Sequence, residues 1–195
     1  MKTYEIYGDF NNNLSDSNQI LVISFSLSSI PFKQRWRNNS LSANFIADYL
    51  TAFFSVEKND AKTVARKKEL QASVSYITNE LLENAMKFHD DRTKNPIRFG
   101  VHLLEDIVVL LVSNCVSSEI WLKFYPIIND LMTCDLEDLY IDQVKKLAED
   151  ENNQVSGLGL ITIMSDYSAT LGWKINKIKD DNGLITIRTM AQFKV

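Results

Sequence analysis

A chain of 195 residues, 45% hydrophobic and 24% charged, is long enough to bury one substantial core; its net charge of −4 excludes the cationic excess that nucleic acid or an anionic membrane would attract. Two cysteines, Cys115 and Cys134, exclude a disulfide framework, and neither has a second cysteine or a histidine at zinc-ligand spacing. There is no apolar run of signal-peptide type and nothing near the roughly 18 to 20 apolar residues of a membrane span, so one cytoplasmic domain is expected, with protein or small-molecule partners.

After a polar opening at residues 11–18 that reads as a turn, residues 20–27 (ILVISFSL) alternate and are β-branched, predicting an early strand. Leu41, Phe45, Tyr49, Leu50 and Phe53 recur at helical spacing, with Ser40 or Ser42 as the cap and the polar EKND of residues 57–60 as the stop. Asp60 is placed to start a longer helix in which Val64, Leu70, Val74, Ile77, Leu81, Ala85 and Phe88 form one apolar stripe. Glu80 and Asn84 are four apart on that helix and share a face, close enough for a carboxylate and an amide oxygen to reach a metal-bound phosphate beside it. The Arg66, Lys67, Lys68 run is the solvated face of the same helix.

Residues 97–104 (IRFGVHLL) and 107–113 (IVVLLVS) read as a hairpin turning at Glu105 and Asp106. The stretch from Asn114 to Gly157 is too long for a bare loop, since structureless connections beyond about 12 to 15 residues are uncommon in compact domains. Ile120, Trp121, Phe124, Ile127, Ile128 and Leu131 mark one helix in it; Leu136, Leu139, Val144 and Leu147 mark a second, before a polar hinge at residues 148–153 (AEDENN). Gly157 and Gly159 then open an apolar helix at residues 158–166, an arrangement that lets backbone N–H groups approach an anion. Strands at residues 171–179 and 184–193 follow, turning at Asp181, Asn182 and Gly183. Helices and antiparallel strands in mixed order predict an α/β fold: a two-layer α/β sandwich with a mixed, mostly antiparallel sheet and helices on one face.

The ELLENAMK stretch at residues 80–87, followed by Gly157, Leu158, Gly159 and Leu160 at a helix start, resembles the N box and G2 box of the GHKL ATPase superfamily. Size and single-domain build most resemble its anti-sigma-factor serine kinases and the SiaB-type protein kinases of partner-switching modules, with cyanobacterial ATP-binding relatives; the resemblance covers roughly residues 60–195. It implies a Bergerat (HATPase) fold, with residues 1–59 as an N-terminal strand and helix extension and residues 115–156 as a helical ATP lid. It also implies ATP and Mg2+ as cofactors. Asn84 would bind the magnesium ion, Glu80 would act as general base, and the backbone of residues 157–160 would cradle the phosphates. Lys87 is either a phosphate contact or a solvated helix-end cation, and Thr186 or Thr189 corresponds to the family's adenine-contacting threonine. The implied function is a Mg-ATP-binding serine/threonine protein kinase-like regulator that binds and phosphorylates a small STAS-like or SiaC-like partner, with a homodimer as its family's frequent state. The alternative is a non-catalytic nucleotide-sensing module that sequesters a regulatory partner.

The chain departs from the family at the adenine-reading Asp-x-Gly-x-Gly element, where it reads VSNCVS at residues 112–117. Asn114 is the positional substitute, its amide oxygen a weaker acceptor than a carboxylate. His89, Asp90 and Asp91 read as a solvated turn rather than a metal site, and the KQRWR cluster at residues 33–37 as a partner contact or structural cation–π pair rather than a nucleic-acid platform.

Overall fold

The computed structural model describes residues 4–14, 19–26, 32–54, 61–104, 106–149, 157–177 and 183–195. Along the chain run β1 (Tyr4–Gly8), β2 (Gln19–Phe25), α1 (Phe32–Thr51), α2 (Ala61–Phe88), β3 (Ile97–Leu104), β4 (Ile107–Ser117), α3 (Ser118–Thr133), α4 (Leu136–Glu149), α5 (Leu158–Ser165), β5 (Thr170–Lys177) and β6 (Leu184–Lys194). The strands form one sheet in the order β1-β5-β6-β4-β3-β2. Among the described residues every pairing is antiparallel, so the sheet is not mixed.

Strand parity separates the two sides of this sheet. Because successive side chains alternate, Phe99 and Val101 of β3, Leu110, Val112 and Val116 of β4, Trp173 and Ile175 of β5, and Ile185 and Ile187 of β6 all point one way. They belong to a single buried cluster with Ile77, Leu81, Leu82 and Ala85 of α2 and Trp121 and Ile128 of α3, so the helices cover that face. The opposite face is covered locally by the chain after β1. Gly8 turns it at φ 61°, and residues 9–13 then cross over Gly172, where an added Cβ would stand 2.4 Å from the backbone nitrogen of Phe10. Asn12 accepts a hydrogen bond from Lys174 at 2.7 Å and the Asp9 carbonyl accepts one from Gln192 at 2.5 Å, fixing the crossing.

Several boundaries differ from those expected. β1 has no counterpart in the sequence reading, because YEIYG is short and its residues are mostly exposed. α1 begins at Phe32, so Ser40 and Ser42 lie inside it rather than at its cap; before Leu41 only Phe32 and Trp36 interrupt a polar run, too few to reveal those first turns. β4 continues to Ser117, so the first three residues of the expected lid, 115–117, belong to the sheet, and Ser117 caps α3 by accepting from the Ile120 N–H at 3.2 Å. Ala148 and Glu149 of the expected hinge complete α4. Asp60, Glu105, Asp181, Asn182, the EKND break at residues 57–60, the hinge residues 150–153 and the side chains of residues 33–37 lie outside the described residues. Among the described residues no helix is long and apolar enough to cross a membrane.

Candidate functional site

The C-terminal half of α2 lies across the middle of the sheet and presents Leu81, Asn84, Ala85 and Phe88 on one face, the spacing of a single helical stripe. Opposite it, β4 offers Val112, Asn114 and Val116, and β6 offers Ile187 and Thr189, each set on one strand parity. Ile120 and Phe124 of α3 and Leu160 of α5 complete a narrow cleft that opens to solvent. Its composition is that of small-molecule sites: apolar walls with a few convergent polar groups, here Asn84, Asn114 and Thr189.

Each polar group is fixed by its element. Asn114 is buried and donates from Nδ2 to the Ala85 carbonyl of α2 at 3.3 Å, so the amide oxygen is the atom not engaged in that bond. The two threonines fall on opposite faces because they are an odd number of residues apart on β6. Thr189 lines the cleft beside Val112, its register partner. Thr186 pairs with Cys115 on the other face, where its hydroxyl lies 3.5 Å from the thiol sulfur.

At the edge of the cleft, Glu80 meets the start of α5. An added Cβ on Gly159 would lie 2.0 Å from Glu80 Oε2, so only glycine leaves room for the carboxylate there. Burial, and then the charge of Glu83, push the Glu80 carboxyl above its usual range. Gly157 caps α5 in the left-handed conformation at φ 69°, and its carbonyl accepts from the N–H groups of Leu160 and Ile161 at 3.0 and 3.1 Å. A Cβ on Gly157 would stand 2.7 Å from Ile127 Cγ2, so α3 packs directly over this turn. Leu158 is partly buried against the core. Lys87 is exposed, with Nζ 5.3 Å from the Phe88 ring centroid, and does not line the cleft.

α3 is anchored to the sheet edge by aromatic contacts. Tyr7 of β1 lies 6.1 Å from Trp121 and 5.6 Å from Tyr125, and Phe124 meets Trp173 edge-on at 6.5 Å between ring centroids. The turn after α2 is likewise tied down. His89 Nδ1 accepts from the Cys115 N–H at 3.4 Å, and Asp90, held by Arg92 in an ion pair of 2.5 Å, donates its backbone N–H to the Cys115 carbonyl at 2.8 Å. Among the described residues no group of three or more His, Cys, Asp or Glu side chains is placed to hold a metal ion.

The structure thus brings Asn84, Asn114, Leu160 and Thr189 into one cleft and sets Glu80 against Gly159 beside it; Thr186 and Lys87 stand apart. Sequence reasoning missed the apolar walls, because Leu81, Ala85 and Phe88 read as ordinary core stripe. It also missed the stack of Tyr76 on Tyr167, ring centroids 4.9 Å apart, one helical turn before Glu80, although Tyr76 at i−4 was a detectable signal.

A two-layer α/β sandwich whose cleft opens between a long helix and the middle of an antiparallel sheet is the class these features define. No family model and no curated protein matches the chain. A solved structure does: a chain in the crystal structure of the SiaB-SiaC complex from Pseudomonas aeruginosa, at 16% identity and a TM-score of 0.54, over 90% of this chain and 91% of that one. At that identity the likeness is one of fold.

Proposed function

We propose that the cleft is a nucleotide site and that the chain is a GHKL-type, Mg-ATP-dependent serine/threonine protein kinase-like regulator acting on a small STAS-like or SiaC-like partner. The observation that carries this reading is the meeting of Glu80 with Gly159 at the α5 start, one helical turn from Asn84 in an apolar cleft. The likeness of fold to a chain solved in a complex of SiaB with SiaC supports a protein partner.

The donor set suits the nucleotide. Asn84 offers an amide oxygen to magnesium, Asn114 and Thr189 sit among apolar walls that suit an adenine ring, and two glycines keep side chains off the α5 start. Bound Mg-ATP would supply a γ-phosphoryl group, with ADP as the leaving group and the metal offsetting the phosphate charge. Glu80 would accept the proton of the attacking hydroxyl; its burial raises its basicity toward that task. The apolar walls exclude water from the transfer, and α3 roofs the cleft through Ile120 and Phe124.

The test is calorimetric titration with ATP, with and without Mg2+, of the natural chain and Asn84→Ala. Magnesium-dependent binding lost in the variant is expected; no ATP binding by the natural chain overturns the reading. A second reading, nucleotide sensing without transfer, is favoured by the amide at Asn114 in place of the family's carboxylate. Labelled ATP incubated with a STAS-like or SiaC-like protein separates the two, because only the kinase leaves acid-stable label on a hydroxyl.

A further inference from the structure

The face of the sheet away from the helices carries a charge pattern that the cleft does not use. By strand parity it takes Arg98 of β3, Lys174 of β5 and Arg188 and Lys194 of β6, all cations. Among the described residues of the six strands it takes no aspartate or glutamate, in a chain whose net charge is −4. Three of the cations share one rung. Register sets Arg98 opposite Ser113 of β4, Ser113 opposite Arg188, and Arg188 opposite Lys174. Like charges directly opposite on neighbouring strands are destabilising, and no strand residue offsets these. The one carboxylate of the crossing segment at residues 9–13 is Asp9, whose backbone bonds to Leu171 and Gln192, the latter four residues along β6 from Arg188.

The three cations are not equivalent. Lys174 is committed: its ammonium lies 4.0 Å from the Tyr4 ring centroid and donates to Asn12 at 2.7 Å. Burial, and then the charge of Arg188, hold that ammonium below its usual range, so the two cations feel each other. Arg98 and Arg188 are exposed and, among the described residues, form no hydrogen bond or ion pair. The floor between them is Ser113, a small, half-buried residue whose hydroxyl can donate as well. Two strand spacings separate the arginine backbones, about 10 Å, so both guanidinium forks can converge on one group above Ser113.

We propose that the Arg98–Ser113–Arg188 rung is a docking site for an acidic segment of a protein partner, whose carboxylates the two guanidinium forks grip. Charge complementarity carries the assignment: two unpaired forks, a neighbouring fixed cation and no strand carboxylate call for negative charge, and the planar fork matches a carboxylate bidentately. The rung lies on an open sheet face rather than in a concavity, which suits a chain segment laid across it better than a small molecule. Nucleic acid fits less well, because the cationic band is one rung wide and the net charge of −4 repels a polyanion that extends beyond it. The site is on the opposite side of the sheet from the cleft and stands whether or not the cleft takes nucleotide.

The experiment is fluorescence anisotropy of a labelled hexaglutamate peptide titrated with the whole chain at low and at moderate salt. Binding that weakens as salt rises is expected, because exposed charge pairs are screened. Arg98→Gln and Arg188→Gln should each lower the affinity about threefold, and together about tenfold. The double variant Lys68→Gln, Lys146→Gln removes the same charge from exposed positions on α2 and α4 and should leave the affinity unchanged. Arg188→Gln also relieves the repulsion with Lys174, so its melting temperature should be no lower than that of the natural chain. No peptide binding by the natural chain overturns the proposal, as does an equal loss in the Lys68, Lys146 variant, which would mean attraction to any surface cation. Displacement of the peptide by an equal concentration of single-stranded oligonucleotide, or of ATP, would assign the rung to phosphate and overturn it too. A clear fall in the melting temperature of Arg188→Gln would make the row structural.

Discussion

The two faces of the β4–β6 pair use the same kinds of residue to opposite ends. On the helix face, Asn114 and Thr189 are buried polar groups at the lip of an apolar cleft, and the Asn114 amide is turned by its bond to Ala85. One residue along β4 and three along β6, Cys115 and Thr186 meet each other on the far face, in a closed contact. Register parity alone decides which asparagine or threonine joins a site and which serves the strand pair. The same parity concentrates the large apolar side chains on the helix face and leaves the far face to a crossing segment held by hydrogen bonds.

That asymmetry can be broken most forcefully from the helix face. Leu110 is fully buried there, and Leu110→Ala should cost about 2–5 kcal/mol, seen as a lower denaturation midpoint at an unchanged slope. On the far face, Gly172→Ala meets backbone rather than a movable side chain, because the new Cβ would press on residues 9 and 10. The crossing segment must lift, losing its bonds to Lys174 and Gln192, for about 1–3 kcal/mol by the same measurement. If Gly172→Ala proved the costlier, the far face would be as much a part of the core as the near one.

How much of this was legible in the sequence follows from the same physics. The long helix, the hairpin, α3, α4 and the last two strands were readable because each carries an apolar pattern of the right period. β1 and the first turns of α1 were not, since five mostly exposed residues, and a polar run whose large apolar residues are only Phe32 and Trp36, are too short a pattern to read. In the site, Asn84 and Gly159 stood out because polar groups and glycines are conspicuous inside apolar stretches. The walls did not, because a side chain that lines a cleft and one that fills a core have the same chemistry. Parity could have separated Thr189 from Thr186 only with the register to β4 in hand, and register is a long-range property.

The threonines give the more selective test. On the proposed nucleotide reading, Thr189→Ala should lower ATP affinity about tenfold in calorimetry, the worth of roughly one good polar contact. Thr186→Ala should leave that affinity where it was and cost about 0.5–1 kcal/mol of stability through its lost contact with Cys115. Reversal of the two effects would mean that nucleotide binds on the far face.

The smallest effect expected is also the one that speaks most directly to the half-buried Glu80 carboxylate. The Glu80 carboxyl is held above the ordinary range by burial and by Glu83, so the folded state binds its proton more tightly than the unfolded chain does. Linkage then fixes the sign. As pH rises from the unfolded to the folded midpoint the folded state carries more proton than the unfolded one, so Glu80 erodes stability across that window, and the loss is complete above it. Glu80→Gln removes the charge while keeping the shape, and should raise the melting temperature slightly near neutral pH. The gain should fade as pH drops below the ordinary glutamate midpoint, where the natural residue is protonated in both states. A gain that persisted unchanged into acid would point to packing rather than charge, and a loss at neutral pH would mean that the carboxylate is stabilised where it sits. Paired with a fall in phosphoryl transfer, the gain would mark Glu80 as a group whose place is kept for chemistry at the expense of stability.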